Sequence, residues 1–489
     1  MKLAPLFIKS WSQNPDRACL YWGGQIYTGS DLLQTLHRLM GKMVSRDFSR
    51  YQFWSFWGSN HPFGLLMPIA CAALGRTWAP LSPLLRREAA INCADEMKAY
   101  LIDVDTDENW SSLWTRPGGP HQVEDVQALA TAISNLCVHD AETGFALCFQ
   151  TSGSSGTPKQ VLLPESHILA NVMTAIEEQR LTSNDRVLLL LSLSHSGGLC
   201  IQALPGLLSG ALLILQSGFS IQSCVDALTN ESRELMPTTT LLVPSFLRAL
   251  SLSERAKQID WSKLRYVGIG SAPLSRHMLE AFQGVPIRLL NIYGLTEAGP
   301  FLASCKLDDK TPAFMDVMPI GHVHKKFEWK QSEAGELFVR GPAARAIYSR
   351  RSNGANAPEL TATFDADGWV ATGDAVRSFN GLLYFTHRMD ETLNVGGMKV
   401  TPSRIEAVFE SMPGVRSCVV KARKHAVFGS ILVAMLEIDQ SILDIALIKK
   451  RELVREAKKY LSSYETPREI EFVECVPRSA IGKKLRHHL

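Results

Sequence analysis

Residues 150–160, QTSGSSGTPKQ, bring together residue types that bind anions. Glycine lets the backbone approach a ligand closely, consecutive N–H groups form an anion nest, and the lysine supplies a point charge. The spacing is not that of a Walker A loop, because Pro158 stands where its second glycine belongs. The composition therefore predicts a phosphate site, and a turn without a ligand is the alternative. The candidate ligands are Thr151, Ser152, Gly153, Ser154, Ser155, Gly156, Thr157 and Lys159.

A second candidate site is NIYGLTEAG, residues 291–299, which follows an apolar run typical of a strand. Ligands of open α/β sheets bind beyond the carboxyl ends of the strands. Tyr293 offers an aromatic face for a base, Thr296 a hydroxyl for a phosphate, and Glu297 a carboxylate for Mg²⁺. The alternative is a glycine turn with an exposed glutamate.

Charged residues also follow a short strand in GWVATGDAV, residues 368–376. Asp374 stands after a tight turn, where a carboxylate would accept hydrogen bonds from both hydroxyls of a ribose or would simply stabilise the turn. Arg388 and Asp390 follow at the point where the composition of the chain changes.

Two glycine segments lie closer to the end of the chain. Gly396-Gly397 predicts the turn of a hairpin. The segment PRSAIGKKLR, residues 477–486, places Lys483 after a glycine in a loop. Lysines in such positions are mostly solvated, so neither segment indicates a function by itself.

The elements that would position these residues alternate between strands and helices. Apolar runs such as RVLLLLSL and TTTLLVP are separated by helical patterns. This alternation predicts an α/β fold with a parallel sheet covered by helices on both faces. CLYWGGQIY predicts two strands joined by a Gly-Gly turn. After about residue 385 the chain is basic and has its own strands and a helix over 445–461, which predicts a small α+β domain.

The composition limits the class of function. A net charge of +3 over 489 residues does not indicate a nucleic-acid partner. The ten cysteines form no CxxC pair, which fits a reducing cytoplasm and not a disulfide-linked secreted domain. The most apolar stretch, residues 187–215, is interrupted by His195 and by glycines and a proline, so it predicts buried core and no membrane span.

Taken in order, the motifs closely resemble the adenylate-forming (AMP-binding) superfamily, which includes acyl-CoA synthetases, peptide-synthetase adenylation domains and firefly luciferases. The resemblance implies a large N-terminal domain of stacked sheets with flanking helices, residues 1–388. It also implies a small, mobile α+β lid domain, residues 389–489, that carries the catalytic lysine. The motifs are TSGSSGTPK, LSLSHSGG, GSAP, YGLTE, GELFVRGP, TGD, an Arg-x-Asp hinge, a Gly-Gly loop and a C-terminal GK.

The resemblance also implies a role for each residue at the nucleotide. The loop Thr151 to Lys159 would hold the β- and γ-phosphates of ATP. Tyr293 would pack on the adenine, Thr296 would bond the α-phosphate, and Glu297 would hold Mg²⁺.

Other roles implied by the resemblance concern the sugar, the acid and the lid. Asp374 and Arg388 would hold the ribose, and Asp390 would be the hinge. His195 would lie at the acyl pocket. Lys483 would bridge the substrate carboxylate and the α-phosphate.

The activity implied is that of an AMP-forming acid–thiol ligase. ATP and a carboxylic acid would give acyl-AMP, and the acyl group would then pass to the thiol of coenzyme A. The small domain would rotate between the steps, and Gly396 and Gly397 would act only after the rotation. Three departures from the family pattern, at Gln160, Val370-Ala371 and His387, predict a divergent member.

The substrates are less constrained by the sequence. The compact chain and the LSLSHSGG segment look similar to small aryl-acid CoA ligases such as o-succinylbenzoate-CoA synthetase. Aryl and short or medium acyl acids are therefore expected, and a dicarboxylate would need an extra cation, for which Arg248 is a candidate. The alternatives are a carrier-protein thiol as acceptor, an oxidative enzyme of the luciferase type, and a non-catalytic nucleotide-binding homologue.

Overall fold

The computed structural model describes most of the chain. The described residues are 2–102, 110, 113–114, 117, 125–138, 144–151, 159–218, 220–230, 232–308, 310–314, 316–350, 358–391, 393–395, 398–425, 429–439, 450–477 and 484. Within these ranges, no helix has both the length and the apolar character that crossing a membrane requires.

Twelve α-helices lie within the described residues. They are α1 (Leu3–Gln13), α2 (Gly29–Val44), α3 (Phe63–Ala73), α4 (Arg87–Met97), α5 (Val126–Leu136), α6 (Glu165–Gln179), α7 (Leu204–Ser209), α8 (Ile221–Leu228), α9 (Pro244–Ser251), α10 (Arg276–Glu280), α11 (Pro402–Glu410) and α12 (Lys450–Ala457). A π-helix, Gly197–Ala203, runs directly into α7.

Twenty-five strands form the sheets of the described chain. They are β1 (Ala18–Trp22), β2 (Gln25–Thr28), β3 (Phe53–Phe56), β4 (Thr77–Trp78), β5 (Ala99–Ile102), β6 (Phe145–Thr151), β7 (Lys159–Pro164), β8 (Arg186–Leu189), β9 (Leu212–Leu215), β10 (Thr239–Leu242), β11 (Tyr266–Ile269), β12 (Leu289–Leu295), β13 (Gly299–Leu307), β14 (His322–Val323), β15 (Glu328–Gln331), β16 (Glu336–Arg340), β17 (Ile347–Arg350), β18 (Glu359–Ala362), β19 (Val370–Phe379), β20 (Leu382–Arg388), β21 (Leu393–Val395), β22 (Met398–Val400), β23 (Val415–His425), β24 (Gly429–Ile438) and β25 (Glu469–Val473).

The largest sheet has nine strands in the order β14-β13-β12-β11-β10-β8-β9-β1-β2. Its centre, from β12 to β1, is parallel. Along β8 and the residue after it, Val187 and Leu189 pack into one apolar cluster, while Leu188 and Leu190 pack into the cluster on the other face. A strand whose alternating side chains are apolar in both directions must be covered on both faces. Helices α1, α2 and α3 contribute side chains to the first cluster, and α8 and α9 contribute to the second. The predicted parallel sheet with helices on both faces is therefore confirmed.

A seven-stranded sheet, β18-β17-β7-β6-β4-β3-β5, stacks against the first. The apolar cluster between them contains Leu20 and Leu213 from the nine-stranded sheet, and Trp54 and Leu147 from the seven-stranded sheet. A four-stranded antiparallel sheet, β15-β16-β19-β20, follows. The large domain is thus built of stacked sheets with flanking helices, as predicted.

The end of the chain forms a smaller unit with its own core. Strands β23, β24 and β25 make a mixed sheet on which α11 and α12 pack, and a separate apolar cluster fills the space between them. Strands β21 and β22 pair antiparallel, and the turn predicted at Gly396-Gly397 lies outside the described residues. The predicted small α+β domain is confirmed. Of its predicted helix over 445–461, the structure describes only the part from residue 450 onward and ends the helix at Ala457.

Candidate active site

The candidate site lies where parallel strands of the nine-stranded sheet reach their carboxyl ends. Strand β8 leads into the segment that contains His195, and β12 leads into Thr296 and Glu297. Both strands belong to the parallel centre of the sheet, so the two segments emerge at the same edge. The Ser196 and Thr296 hydroxyls, both buried, are 3.0 Å apart and join these segments by a hydrogen bond.

The backbone beside His195 is tightly folded. The Gly197 N–H donates to His195 Nδ1 at 3.3 Å, and the π-helix begins at Gly197. A Cβ at Gly198 would lie 2.4 Å from the carbonyl oxygen of Ser192, so only glycine fits there. Short π-helical segments are frequent at functional sites because they redirect the side chains of one turn. Here the turn presents the histidine beside the end of β12.

Tyr293, Asp374 and Arg388 meet in one hydrogen-bonded network. The Tyr293 hydroxyl donates to Asp374 Oδ2 at 2.7 Å, and Arg388 Nη1 donates to Asp374 Oδ1 at 2.9 Å. Arg388 Nε also donates to the exposed Asp390, with a separation of 3.1 Å from Oδ1. The three segments that the sequence singled out for a nucleoside are therefore adjacent in space.

The charges within this network shift the pKa values of its members. Burial, and then the Asp374 carboxylate, raise the pKa of the Tyr293 phenol well above its usual value, so the phenol stays a hydrogen-bond donor. Partial burial alone would lower the pKa of Arg388, but the carboxylates of Asp374 and Asp390 more than offset this and raise it. Arg388 is thus a permanent cation flanked by two anions.

The glycine of the TGD motif is required by this network. Gly373 has a φ of +71°, and a Cβ there would lie 3.0 Å from Arg388 Nη2. A side chain would be strained by the left-handed backbone and would also push against the guanidinium. Glycine at position 373 therefore allows the next residue, Asp374, to lie beside Arg388.

A second network joins the nine-stranded and seven-stranded sheets. The half-buried Tyr348 on β17 donates its hydroxyl proton to Glu297 Oε1 at 3.1 Å. Lys159, the first residue of β7, holds its ammonium 5.0 Å from the centre of the Tyr348 ring. Burial and then Glu297 raise the pKa of the Tyr348 phenol. The sequence analysis missed Tyr348, because a tyrosine within an ordinary strand pattern carries no local signal of a site.

Several predicted site residues lie outside the described residues. They are Ser152, Gly153, Ser154, Ser155, Gly156, Thr157, Gly396, Gly397 and Lys483. The strands on either side of the first group are described, and the cross-strand pair Thr151 and Lys159 brings the two ends of that segment together.

Lys484, the neighbour of Lys483, is held within the small domain. Its Nζ is 2.7 Å from Glu410 Oε1 and 3.2 Å from Glu406 Oε2, both on α11. Burial would lower the pKa of Lys484, but the two carboxylates raise it. This ammonium is committed to structural ion pairs, which leaves Lys483 as the lysine of this motif proposed for chemistry.

Arg248 does not have the role considered for it. Its Nη1 donates to the backbone carbonyl of Glu410 at 3.1 Å and its Nη2 to that of Val415 at 2.9 Å. Glu410 ends α11, so the guanidinium of the large domain caps the carboxyl end of a helix of the small domain. The expectation of a cation for a dicarboxylate is wrong for this residue, because its hydrogen bonds join the two domains.

Comparison with known proteins agrees with the fold described above. Residues 7–348 match the family model described as AMP-binding enzyme, and residues 404–483 match that of the AMP-binding enzyme C-terminal domain. An indoleacetate–CoA ligase of Aromatoleum aromaticum is 25% identical, over 99% of this chain and 96% of its own. A feruloyl-CoA synthase of an Amycolatopsis species is 26% identical, over 97% of this chain and 95% of its own.

Solved structures show the same fold. ATP-bound MatB from Rhodopseudomonas palustris has a TM-score of 0.79 at 20% identity. The match covers 100% of this chain and 98% of the MatB chain. The o-succinylbenzoate CoA synthetase MenE from Bacillus subtilis, in complex with its acyl-adenylate, has a TM-score of 0.77 at 20% identity. The match covers 100% of this chain and 97% of the MenE chain. The family model spans well over half of the chain. The chain therefore belongs to the AMP-binding enzyme family.

Proposed function

We propose that this enzyme activates a small carboxylic acid with ATP and then passes the acyl group to coenzyme A. The observation that carries the proposal is the convergence of Thr296, Glu297 and the Asp374–Arg388 pair at one edge of the parallel sheet. Relatives that span nearly the whole chain are named as CoA ligases of aromatic acids, namely indoleacetate and ferulate. An aryl acid is therefore the proposed substrate class.

In the first step, a carboxylate oxygen of the acid attacks the α-phosphorus of ATP. A bond forms between them, the bond from that phosphorus to the pyrophosphate oxygen breaks, and acyl-AMP and pyrophosphate result. In the second step, the thiol sulfur attacks the acyl carbonyl carbon, the bond to the AMP oxygen breaks, and the thiol proton is lost to solvent. AMP leaves, and a thioester remains.

The residues are proposed to divide the nucleotide between them. The segment from Thr151 to Lys159 would hold the β- and γ-phosphates, and Thr296 the α-phosphate. Tyr293 would pack on adenine while its hydroxyl keeps Asp374 oriented, an arrangement supported by their 2.7 Å hydrogen bond. Arg388 pairs with one oxygen of Asp374, so ribose hydroxyls would add to an existing ion pair.

Three further residues are proposed to act on the acid and the lid. His195 would border the acyl pocket, because it emerges beside the end of β12. Lys483 would bridge the acid and the α-phosphate during the first step, and Asp390 would be the hinge. With the hinge at Asp390, the boundary between the domains would fall between residues 388 and 389.

Glu297 is the proposed ligand of Mg²⁺. The fit rests on its chemistry: one carboxylate oxygen accepts from a neutral phenol, and among the described residues no ion pair engages Glu297. When bound there, Mg²⁺ would offset the charge of the phosphates during attack by an anionic acid. Glu297, Thr296 and Lys159 would together form the protein side of this site.

The proposal is tested by acid-dependent exchange of labelled pyrophosphate into ATP. A panel of aryl, short-chain and medium-chain acids is assayed first, because exchange reports adenylation whatever the acceptor. Thioester formation is then measured with coenzyme A and, separately, with a phosphopantetheine carrier protein. Exchange with an aryl acid and transfer to coenzyme A are expected. If no acid supports exchange, the chain is a nucleotide-binding homologue without this activity.

Glu297→Gln is expected to raise the Mg²⁺ concentration for half-maximal exchange by at least the roughly 10-fold that loss of an outer partner of a metal ligand costs. The amide keeps an oxygen ligand of similar volume but loses the negative charge that attracts the cation. Activity should therefore recover partly at high Mg²⁺. The measurement is the Mg²⁺ concentration for half-maximal exchange. An unchanged value would mean that Glu297 is a turn residue.

Arg248→Ala is expected to shift the small domain away from its present orientation. Each net hydrogen bond contributes about 1 kcal/mol, so losing two should change the ratio of orientations by roughly tenfold or more. The ratio is measured by single-molecule energy transfer between labels at the exposed positions Leu360 and Tyr460. The exposed Arg255→Ala is the control, because that arginine pairs with Asp226 within the large domain. Equal ratios of the two orientations in the wild type and both variants would mean that the Arg248 hydrogen bonds do not hold the small domain in its present orientation.

A further inference from the structure

Tyr348 lies between two side chains of opposite charge. Strand β17 pairs antiparallel with β7, and Tyr348 stands opposite Val161. Residues 159 and 161 share one face of β7, so Lys159 is the diagonal neighbour of Tyr348 on that face. This register brings the lysine ammonium to 5.0 Å from the ring centre. The contact therefore follows from the strand pairing.

The hydroxyl end of the same ring reaches the other sheet. Glu297 follows β12 in the nine-stranded sheet, and its Oε1 accepts the Tyr348 hydroxyl at 3.1 Å. Within the described part of the chain, no ion pair joins Lys159 directly to Glu297. One tyrosine thus offers a π-face to a cation and a hydrogen bond to an anion.

This arrangement keeps both charges available. A direct Lys–Glu ion pair would satisfy each charge with the other, and a nucleotide and its metal would have to break it. A phenol donates a hydrogen bond without cancelling the negative charge of the carboxylate. A ring face attracts an ammonium only weakly compared with a phosphate, so the ammonium stays available to the nucleotide.

We propose that Tyr348 is a positioning residue that separates Lys159 from Glu297 and orients each for the metal–nucleotide complex. The proposal rests on the function proposed above and adds a residue to it. The hydroxyl would orient the Glu297 carboxylate for Mg²⁺, and the ring would hold the Lys159 ammonium near the phosphates. Loss of an outer partner of a metal ligand typically costs about 10- to 100-fold in metal affinity.

Two variants separate the roles of the hydroxyl and the ring. Tyr348→Phe keeps the ring over Lys159 and removes the hydrogen bond to Glu297. Tyr348→Leu removes both. We expect Tyr348→Phe to weaken metal binding about 10-fold or more with little change in the KM for ATP at saturating Mg²⁺. We expect Tyr348→Leu to raise that KM as well.

Tyr384→Phe is the matched control. Tyr384 is buried and donates its hydroxyl to the backbone carbonyl of Pro312 at 2.8 Å, so this variant also loses one phenol hydrogen bond. It should change stability but neither metal binding nor the KM for ATP.

The deciding measurement is a titration of Mn²⁺, followed by electron paramagnetic resonance, with each protein and a non-hydrolysable ATP analogue. It needs no turnover, so it is independent of the exchange assay that tests the function. Weaker Mn²⁺ binding in Tyr348→Phe but not in Tyr384→Phe supports the proposal, and wild-type binding in Tyr348→Phe overturns it. In the Glu297→Gln background, Tyr348→Phe should cause a smaller further loss, because the two residues act as a pair. Full additivity would also overturn the proposal.

Discussion

Lys483→Ala is expected to slow the formation of acyl-AMP by about 10²–10³-fold, the usual cost of removing one preorganised electrostatic contact. Its charge is needed while an anionic acid approaches a triphosphate. Once pyrophosphate has left, that repulsion is gone, so conversion of supplied acyl-AMP and coenzyme A to thioester should continue. The measurement assays each half-reaction separately, with synthetic acyl-AMP for the second.

Two other lysines serve as controls for this result. Lys459 is exposed and pairs with Glu456, so Lys459→Ala should leave both half-reactions unchanged. Lys484→Ala should lower the stability of the small domain, because the carboxylates of Glu406 and Glu410 would lose the ammonium that pairs with both of them. An adenylation defect in Lys484→Ala with unchanged stability, and none in Lys483→Ala, would reverse the assignment of the two lysines.

Asp390→Pro is expected to abolish thioester formation while acyl-AMP still forms. The proline ring fixes φ at residue 390 and also restricts the residue before it, so the proposed rotation of the small domain is blocked. Asp390 lies in the 3-10 turn Met389–Glu391, which directly follows Arg388. The two half-reactions are measured as before, with product trapped at several times.

The substitution also removes the ion pair between Asp390 and Arg388, so a second variant is needed. Asp390→Ala loses the same carboxylate but keeps the freedom of the backbone. It should retain thioester formation, with a moderate effect on nucleotide binding. If Asp390→Ala and Asp390→Pro lose both half-reactions equally while folded, residue 390 acts through its carboxylate and not as a hinge.

The hydrogen-bonded network of Tyr293, Asp374 and Arg388 shows how far the candidate site could be predicted. The sequence pointed to Tyr293 and Asp374 because each stands after a strand or in a turn, and to Arg388 through the break in composition and the resemblance to the family. It gave no means of knowing that Asp374 would accept hydrogen bonds from both of the others. Such contacts depend on which strands become neighbours, and that is not encoded near any of the three residues.

Two residues show where the sequence was insufficient. Arg248 sits on an ordinary amphipathic helix, and its partners are backbone carbonyls of another domain, which carry no sequence signal at all. Tyr348 sits in a strand of the seven-stranded sheet, and its partner Glu297 follows a strand of the nine-stranded sheet. Both roles arise from contacts between residues that lie far apart in the chain.

Features governed by neighbouring residues were determined by the sequence alone. The Gly23-Gly24 turn joins β1 and β2 as predicted, because both positions adopt positive φ, which glycine tolerates best. The alternation along β8 required burial on both faces. Only the tertiary structure decided that Tyr348 separates Lys159 from Glu297 and that Arg248 holds the small domain. Periodicity and turn geometry act over a few residues, whereas these contacts depend on the packing of sheets and domains that are far apart in the chain.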